Sequence, residues 1–313
     1  MTATVFTRIT ATIATASAIA LLASGCSSTS AGTEAAAADT TGTTVAHSVD
    51  ESLRALLPKE VLDAGVVNVG APYVLPPSVG IGDGAEPVGI SPDLAAAFGD
   101  ILGVDFVWRD VKEPIPAIQS GAIDISIGFL SDTPARQQVL TMIDQMQNQS
   151  AILVPKENAD KVTDIASMCG MTLAVVSGSQ QEIRAKTISD AECAAKPITI
   201  NPFTSAADAT TAVQSGRASG FVAPALILAN TVKTSGDGST FALTDARYPD
   251  NPFAMGVALD RKDFAAAILG ALKILVADGT YHEIMEKHGA ADIELTEDQV
   301  VINGGGTSAF PID

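Results

Sequence analysis

Short apolar runs alternate with helical patterns along most of the chain, and this alternation restricts the fold more than any other feature. The runs that predict strands are GVVNVGAPY, VDFVWRDV, IDISIGFL, SAILVPK, MTLAVVSGS, SGFVAPA and NPFAMGVALD. The patterns that predict helices between them include SPDLAAAFGDILG, PIPAIQSGA, PARQQVLTMI, QQEIRAKTIS, ADATTAVQSGR and KDFAAAILGALKILVADGTYHEIMEKHG. This order of elements predicts an α/β fold with mixed, mostly parallel sheets.

One helix–turn–strand pattern occurs twice. PIPAIQSGAIDISIGF begins at Pro114 and DATTAVQSGRASGFVA begins at Asp208, and both place Gln-Ser-Gly between a helix and a strand. One interpretation is that the chain contains two related lobes. The alternative is that a glycine ends a helix in both places by the same local rule. The shared sequences AIQSG and AVQSG favour two lobes.

The composition excludes several classes of partner. The chain has 313 residues, with 36 acidic and 18 basic side chains and a net charge of −18. A surface of this charge repels nucleic acid and anionic lipid. The three histidines lie far from each cysteine in sequence, and neither a Walker motif nor a CxxC motif occurs. We therefore expect no metal site and no other cofactor.

The first 25 residues have the pattern of an export signal. A basic start is followed by an apolar run from Ile9 to Leu22 and by the small residues Ala-Ser-Gly directly before Cys26. The end of this segment resembles a lipobox, although Ala23 stands where leucine is usual. We expect residues 1–25 to be a lipoprotein signal peptide and Cys26 to carry the lipid. An ordinary signal peptide before an incidental cysteine is the alternative.

Residues 26–49 are small, polar and low in complexity, which predicts a disordered tether. Acyl chains on Cys26 would hold the protein at the outer face of the cell membrane without a spanning helix. The other two cysteines, Cys169 and Cys193, form an even pair in an exported chain, which predicts a disulfide. Closing a loop of this size stabilises a fold by about 3 kcal/mol.

Four motifs occur at wide spacing in the predicted folded region. They are GISPDL, IPAIQSGAID, TPAR and DGTYHEIMEKHG. Together they resemble the patterns Gly-Phe-x-x-Asp-Leu, Ile-Pro-Ala-Leu-x-x-Gly-x-x-Asp, Thr-x-x-Arg and Gly-x-Tyr-x-x-Ile-x-x-Lys of the extracellular solute-binding proteins of family 3, the class that binds polar amino acids. The resemblance covers about residues 66–289.

The resemblance implies a two-lobed periplasmic-binding-protein type II fold with a ligand cleft between the lobes. Two crossing segments near 149–156 and 247–255 would join the lobes and act as their hinge. Lobe 1 would be discontinuous, formed by residues 50–153 and 249–313. Lobe 2 would be formed by residues 154–248.

The resemblance also implies a function. The chain would be a monomeric, lipid-anchored receptor outside the cytoplasm that binds a small carboxylate-bearing solute, an amino acid or a related organic acid. It would deliver this ligand to an ABC permease with its ATPase, and it would be no enzyme. One alternative is a ligand-sensing receptor. Another is a dehydratase on the same fold, but no dyad or triad is recognisable, and SGSQQE lacks the Gly-x-Ser-x-Gly elbow.

An arginine stands where a predicted strand passes into a predicted helix. The turn Ser131-Asp132-Thr133-Pro134 separates the two elements, and Arg136 follows. A guanidinium matches a carboxylate in a planar fork, and the start of a helix favours anions. We therefore expect Arg136 to clamp the ligand carboxylate, while Thr133 and Ser131 donate hydrogen bonds. The alternative is a surface ion pair of Arg136 with Asp132 or Asp144.

Further ligand contacts are expected from both lobes. Ser179 and Gln180 lie at a second strand-to-helix junction and would reach the same carboxylate from lobe 2. The aromatic side chains Phe129, Tyr73 and Phe221 would wall the pocket, although each is also consistent with core packing.

Several positions depart from the family pattern. Pro224 and Pro72 stand where amino-acid binders of this family usually have aspartates, and Ser78 stands at a usual aromatic position. A buried ammonium without a counter-charge costs several kcal/mol. The ligand is therefore a carboxylate without an ordinary α-amino group, or an amino acid whose ammonium is held by an acidic residue of lobe 1: Asp132, Asp110 or Glu113.

Asp132 has two interpretations, because the family more often has an apolar residue at this position. It binds a ligand ammonium, or it faces solvent. The lost aspartates also allow a degenerate relative that binds nothing tightly, but the retained Arg136 argues against this alternative.

Overall fold

The computed structural model describes residues 47–306. The leader, Cys26 and nearly all of the expected tether lie outside these residues, so the signal peptide, the lipid on Cys26 and the disordered tether stay predictions. The described residues form ten α-helices and eleven strands in alternation. The predicted α/β class is confirmed.

The strands are β1 (Val66–Ala71), β2 (Gly80–Ile81), β3 (Pro87–Val88), β4 (Asp105–Asp110), β5 (Ile125–Ser131), β6 (Leu140–Pro155), β7 (Thr172–Val176), β8 (Thr199–Phe203), β9 (Gly220–Pro224), β10 (Phe241–Leu243) and β11 (Tyr248–Ala258). The helices are α1 (Glu51–Arg54), α2 (Lys59–Ala64), α3 (Ile90–Leu102), α4 (Pro114–Gln119), α5 (Pro134–Gln137), α6 (Gln180–Glu192), α7 (Ala206–Gln214), α8 (Ala225–Thr234), α9 (Lys262–Asp278) and α10 (Thr280–Lys287).

Nine strands belong to one mixed sheet. Its order is β4-β1-β5-β11-β6-β9-β7-β8, and β10 also pairs with β6. The two ends of the sheet are parallel, since β1 pairs with β4 and β5, and β7 pairs with β8 and β9. The pairs that involve β6 and β11 are antiparallel. The carboxyl ends of parallel strands are the usual place for ligands in α/β proteins.

The two longest strands, β6 and β11, connect the two ends of the sheet. The first half of β6 pairs with β11, and its second half, Ser150–Pro155, pairs with β9 and β10. The second half of β11 pairs with β5. These strands include the two segments that were expected to cross between lobes, near 149–156 and 247–255. The lobe boundaries themselves remain our proposal.

The helix expected over residues 134–143 is wrong beyond its first turn. Helix α5 ends at Gln137, and β6 begins at Leu140. Met142 and Ile143 are fully buried and pair with β11. Sheet pairing here overrides the helical spacing of the apolar residues, as tertiary context often does. Arg136 therefore lies on a single turn, and the dipole of a long helix does not act at this site.

Apolar cores support both ends of the sheet. The larger core packs α3, α9 and α10 against β1 and β5, with Phe98, Ile125 and Phe264 almost wholly buried. Burial of one such side chain stabilises the fold by about 1.5–3 kcal/mol. The other end has cores on both faces, and Phe221 lies fully buried in one of them. The expectation that Phe221 walls the ligand pocket is therefore wrong.

Cys169 and Cys193 form a disulfide, with their Cα atoms 5.2 Å apart, and the predicted pairing is confirmed. It joins the turn before β7 to the end of α6.

No single helix within residues 47–306 is long and apolar enough to cross a membrane. The adjacent helices α9 and α10 meet the criteria of length and composition only when they are taken together, and they are bent by 83° at their junction. Gly279 makes this bend in the left-handed conformation, with φ of 89°.

Candidate ligand site at the end of strand β5

The turn after β5 is held by hydrogen bonds on both of its sides. The amide of Asp132 donates to the carbonyl of Pro252 in β11 over 2.8 Å. Thr133 caps α5, because its Oγ1 accepts the amide of Arg136 over 3.3 Å. Arg136 Nη1 donates to the carbonyl of Ser131 over 2.8 Å. The guanidinium is thus folded back onto the end of β5.

The guanidinium of Arg136 retains most of its donors for a ligand. A guanidinium has five N–H groups, and within residues 47–306 the bond to Ser131 is the single hydrogen bond that this side chain donates. No carboxylate of the described residues lies within 4.0 Å of it. The alternative of a surface ion pair with Asp132 or Asp144 is therefore wrong. Burial lowers the pKa of Arg136, while the charge of Asp132 opposes this effect.

Arg136 lines a cavity of about 500 Å³. The other lining residues come from the loop after β1, the start of α4 and β5: Pro72, Leu75, Lys112, Glu113, Pro114, Ile115, Pro116, Ser126, Gly128, Phe129 and Leu130. The volume lies in the range of small-molecule sites. Ser126 is almost wholly buried, and its hydroxyl has no hydrogen-bond partner among the residues that the structure describes.

A larger cavity of about 900 Å³ lies between α3 and β4, but none of the candidate site residues lines it. The smaller cavity is lined by the guanidinium of Arg136, the ammonium of Lys112, the carboxylate of Glu113 and apolar side chains. No basic side chain lines the larger cavity among the described residues. We therefore place the candidate ligand site at Arg136.

The two aromatic residues of the candidate site differ in position. Phe129 lines the cavity, and its ring stacks on Phe253 with the centroids 4.4 Å apart. Tyr73 adjoins the wall at Pro72, but its ring lies 6.5 Å from that of Trp108, and it is not among the lining residues. Burial raises the pKa of Tyr73, and the nearby charge of Asp110 adds to the effect.

Asp132 is fully buried, so the interpretation that it faces solvent is wrong. Its Oδ1 accepts from Nε2 of Gln137 over 2.9 Å, and its Oδ2 accepts from the amide of Gly305 over 2.8 Å. The carboxylate is thus occupied by donors of the protein, and Asp132 does not line the cavity of Arg136.

Asp132 forms a buried acid pair with Asp144, which is also almost wholly buried. Burial raises the pKa of Asp144 to about 8, and the charge and hydrogen bond of Asp132 add to this effect. The amide of Gly304 opposes it. With its pKa raised to this value, Asp144 keeps its proton at neutral pH.

The second junction, after β7, is built in a similar way. Ser179 caps α6, because its Oγ accepts the amide of Glu182 over 3.2 Å. The Oε1 atom of Gln180 is buried and has no hydrogen-bond partner in the described part of the chain. Neither Ser179 nor Gln180 lines the cavity at Arg136. Their expected contact with the ligand stays a prediction.

The positions that depart from the family pattern lie in different parts of the structure. Pro72 lines the cavity, where it offers no charge. Pro224 ends β9 beside Ser150 of β6. Ser78 is fully buried and shares a 2.9 Å hydrogen bond with Ser91, so it does not wall the cavity. Glu113 is the one acidic residue among those that line this cavity in the described chain.

A buried polar cluster lies between α6 and the two long strands and was not predicted. Arg184 Nη1 of α6 lies 2.9 Å from Oδ1 of Asp250 in β11. Gln181 Nε2 donates to the Ser150 hydroxyl over 2.9 Å and to Asp250 over 3.1 Å. Burial raises the pKa of Asp250, while the hydrogen bond of Ser150 and the charge of Arg184 lower it. The cluster joins α6 to both long strands. Its only signal in the sequence is an acidic residue within the second crossing segment.

Comparison with known proteins now identifies the family. The model of the bacterial extracellular solute-binding proteins, family 3, matches residues 67–291. The chain belongs to this family. The assignment agrees with the resemblance carried by the four sequence motifs. Residues 292–306, which are part of the described structure, lie beyond the matched region.

Curated relatives of this family member are binding proteins by name, as the resemblance implied. The arginine-binding protein ArgT of Corynebacterium glutamicum is 27% identical over 258 residues, which are 80% of this chain and 82% of the relative. The ABC transporter glutamine-binding protein GlnH of Bacillus subtilis is 27% identical over 194 residues, which are 60% of this chain and 67% of that protein.

Solved structures show the same fold. An ancestral arginine-binding protein bound to arginine has a TM-score of 0.63 and 25% identity, covering 72% of this chain and 98% of that one. The substrate-binding protein AbpA of Streptococcus pneumoniae, bound to L-arginine, has a TM-score of 0.64 and covers 76% of this chain and 100% of that one. At 19% identity, this second match supports the fold alone. The predicted type II periplasmic-binding-protein fold is confirmed.

Proposed function

We propose that the protein is the substrate-binding component of an ABC-type importer and that it binds an amino acid or a related organic acid at Arg136. The observation that carries the proposal is a half-buried guanidinium with open donors on the wall of a 500 Å³ cavity. Relatives named for arginine and glutamine binding support the class of ligand. The lipid on Cys26 and the extracytoplasmic location belong to the same proposal.

We further propose that Glu113 holds the ligand ammonium. Of the three acidic candidates, Asp132 already accepts from Gln137 and Gly305, and Asp110 accepts the amide of Tyr73 over 3.2 Å. Glu113 lines the cavity of Arg136, and its side chain makes no hydrogen bond that caps α4. A zwitterion would thus bind with both of its charged groups on lobe 1, which replaces the aspartates that are absent at positions 72 and 224.

Closure of the cleft is the remaining part of the mechanism. Lobe 2 would approach by bending of β6 and β11, which brings the hydroxyl of Ser179 and the amide of Gln180 to the ligand. A carboxylate held from both lobes favours the closed state, because only that state makes both sets of contacts. The permease would then recognise the closed form.

Isothermal titration calorimetry of the full chain tests the proposal by measuring ligand affinity. The ligands are L-arginine, L-glutamine and their amine-free analogues, 5-guanidinopentanoate and 4-carbamoylbutanoate. We expect Arg136→Ala to weaken binding of each binder at least 100-fold, and Arg217→Ala, a change at an exposed arginine, to leave it unchanged. Glu113→Gln should weaken only the ligands that carry the amine. Unchanged affinity in Arg136→Ala would disprove the site.

A further inference from the structure

The last described residues run along the edge of β6. We name residues 301–305 the C-terminal strap. Ile302 bridges Ile143, and the amide of Asn303 donates to the carbonyl of Met142 over 2.8 Å. The amide of Met142 donates in turn to Oδ1 of Asn303 over 2.9 Å. On one side Met142 and Ile143 pair with β11; on the other side, where β9 does not reach, the strap satisfies their backbone groups. The strap lies outside the region that the family model matches.

The end of the strap reaches the turn that carries Arg136. The amide of Gly305 donates to Asp132 Oδ2 over 2.8 Å. Nε2 of Gln137 lies 2.9 Å from Asp132 Oδ1 and 2.9 Å from the carbonyl of Gly305, so it joins the strap to α5. Asp132 stands between Ser131, whose carbonyl accepts from Arg136, and the capping residue of α5.

The fit between strap and turn leaves no room for a side chain. A Cβ atom on Gly305 would overlap the carbonyl oxygen of Asp132, so the backbone would have to shift. One on Gly304 would overlap Oδ2 of Asp144 and would displace that side chain. The two glycines thus allow the strap to approach the buried acid pair closely.

Helix α5 is a single turn that the strap contacts through Gln137. It has four residues, and an isolated helix of one turn is unstable in water, because its nucleation costs more than its hydrogen bonds return. Its fixed points are the cap at Thr133 and the bonds that Gln137 makes to Asp132 and Gly305. A ligand clamp needs a guanidinium held in one direction.

We propose that the C-terminal strap is a positioning element of the ligand site, which holds Asp132 and Gln137 so that Arg136 points at the ligand carboxylate. In this role Asp132 does not contact the ligand; it links the strap to the turn that carries Arg136. The role of Arg136 rests on the proposed function, but the mechanical link from the strap to α5 does not.

Two truncations of the full chain test the link, one ending at Val300 and one ending at Gly306. Hydrogen–deuterium exchange is followed in the peptide 129–139 and in a peptide of α9 as an internal reference. We expect the chain ending at Val300 to exchange at least 10-fold faster in 129–139, with the α9 peptide unchanged. The chain ending at Gly306 keeps the strap and should match the full chain.

A second pair of variants covers the case in which truncation unfolds the protein. Gln137→Ala removes the bonds to the strap, and Gln138→Ala changes the exposed neighbouring residue. We expect Gln137→Ala to raise the Kd for L-arginine or L-glutamine at least 10-fold and to speed local exchange, and Gln138→Ala to do neither.

Two results separate this inference from the proposed function. For Gln137→Ala, exchange that is faster throughout the chain, or exchange in 129–139 that is unchanged, would overturn the positioning role and leave the ligand site intact. If the unaltered chain binds neither amino acid, the choice of ligand fails, and the exchange experiment still decides the role of the strap.

Discussion

Replacing Asp144 with asparagine is expected to stabilise the folded protein at neutral pH. Asp144 is buried beside Asp132, and its pKa is raised from 3.8 to about 8 by burial first and by Asp132 second. The folded state therefore keeps a proton that the unfolded chain has lost at pH 7. An asparagine amide has the shape of the protonated carboxyl and can likewise donate a hydrogen bond, but it has no proton to lose.

The magnitude follows from linkage between protonation and folding. Between pH 3.8 and about 8, each pH unit lowers the free energy of unfolding by about 1.4 kcal/mol, because the unfolded carboxyl ionises and the folded one does not. At pH 7 this cost is about 4 kcal/mol, and at pH 5 it is about 2 kcal/mol. Above pH 8 both states are ionised and the cost stays constant.

Urea unfolding at pH 5, 7 and 8.5 measures the effect. The free energy of unfolding of Asp144→Asn should exceed that of the unaltered chain by an amount that grows with pH over this range. Asp160→Asn, a change at an exposed aspartate, serves as the control and should show no such growth. A difference that does not vary with pH, or a variant that is less stable at every pH, would refute the raised pKa of Asp144.

Three further predictions concern stability. Replacing Cys169 and Cys193 together with serine should lower the free energy of unfolding by about 3 kcal/mol in urea titrations, since the loop is no longer closed in the unfolded chain. Asp250→Ala should lower the free energy of unfolding by about 3–5 kcal/mol, because Arg184 loses a buried carboxylate. Asp250→Asn should lower it by a smaller amount. Tyr281→Phe should lower the free energy of unfolding by about 1–3 kcal/mol, which thermal melting measures. The lost hydroxyl is buried, donates to the carbonyl of Gln145 in β6 and accepts from the amide of Leu295.

Much of the fold could be predicted from local sequence signals. Helix α3 ends where Gly103 adopts φ of 63°, and α9 and α10 are separated at Gly279; glycine is the residue type that commonly ends a helix in this left-handed conformation. Residues Leu140–Ile143 were misassigned because their apolar spacing suits a helix as well as a buried strand. Their pairing with β11, more than one hundred residues later, decides between the two.

The candidate ligand site could be predicted only in part, for a similar reason. The turn and Arg136 are adjacent in sequence, so their chemistry was visible. The partner of Asp132 is Gly305, which lies 173 residues further along the chain, and no local pattern connects them. Likewise, Arg184 and Asp250 meet only because α6 folds against β11. Contacts between distant segments depend on the whole packing arrangement, which periodicity does not encode.

The central claim is that Arg136 recognises the ligand carboxylate. A titration cycle tests it most directly, with L-arginine and L-glutamine compared with argininamide and glutaminamide, which replace the carboxylate by a neutral amide. The account predicts that the unaltered full chain binds the acid of at least one pair 100-fold more tightly than its amide, and that Arg136→Ala binds both equally weakly. Retention of the preference for the acid in Arg136→Ala would contradict it.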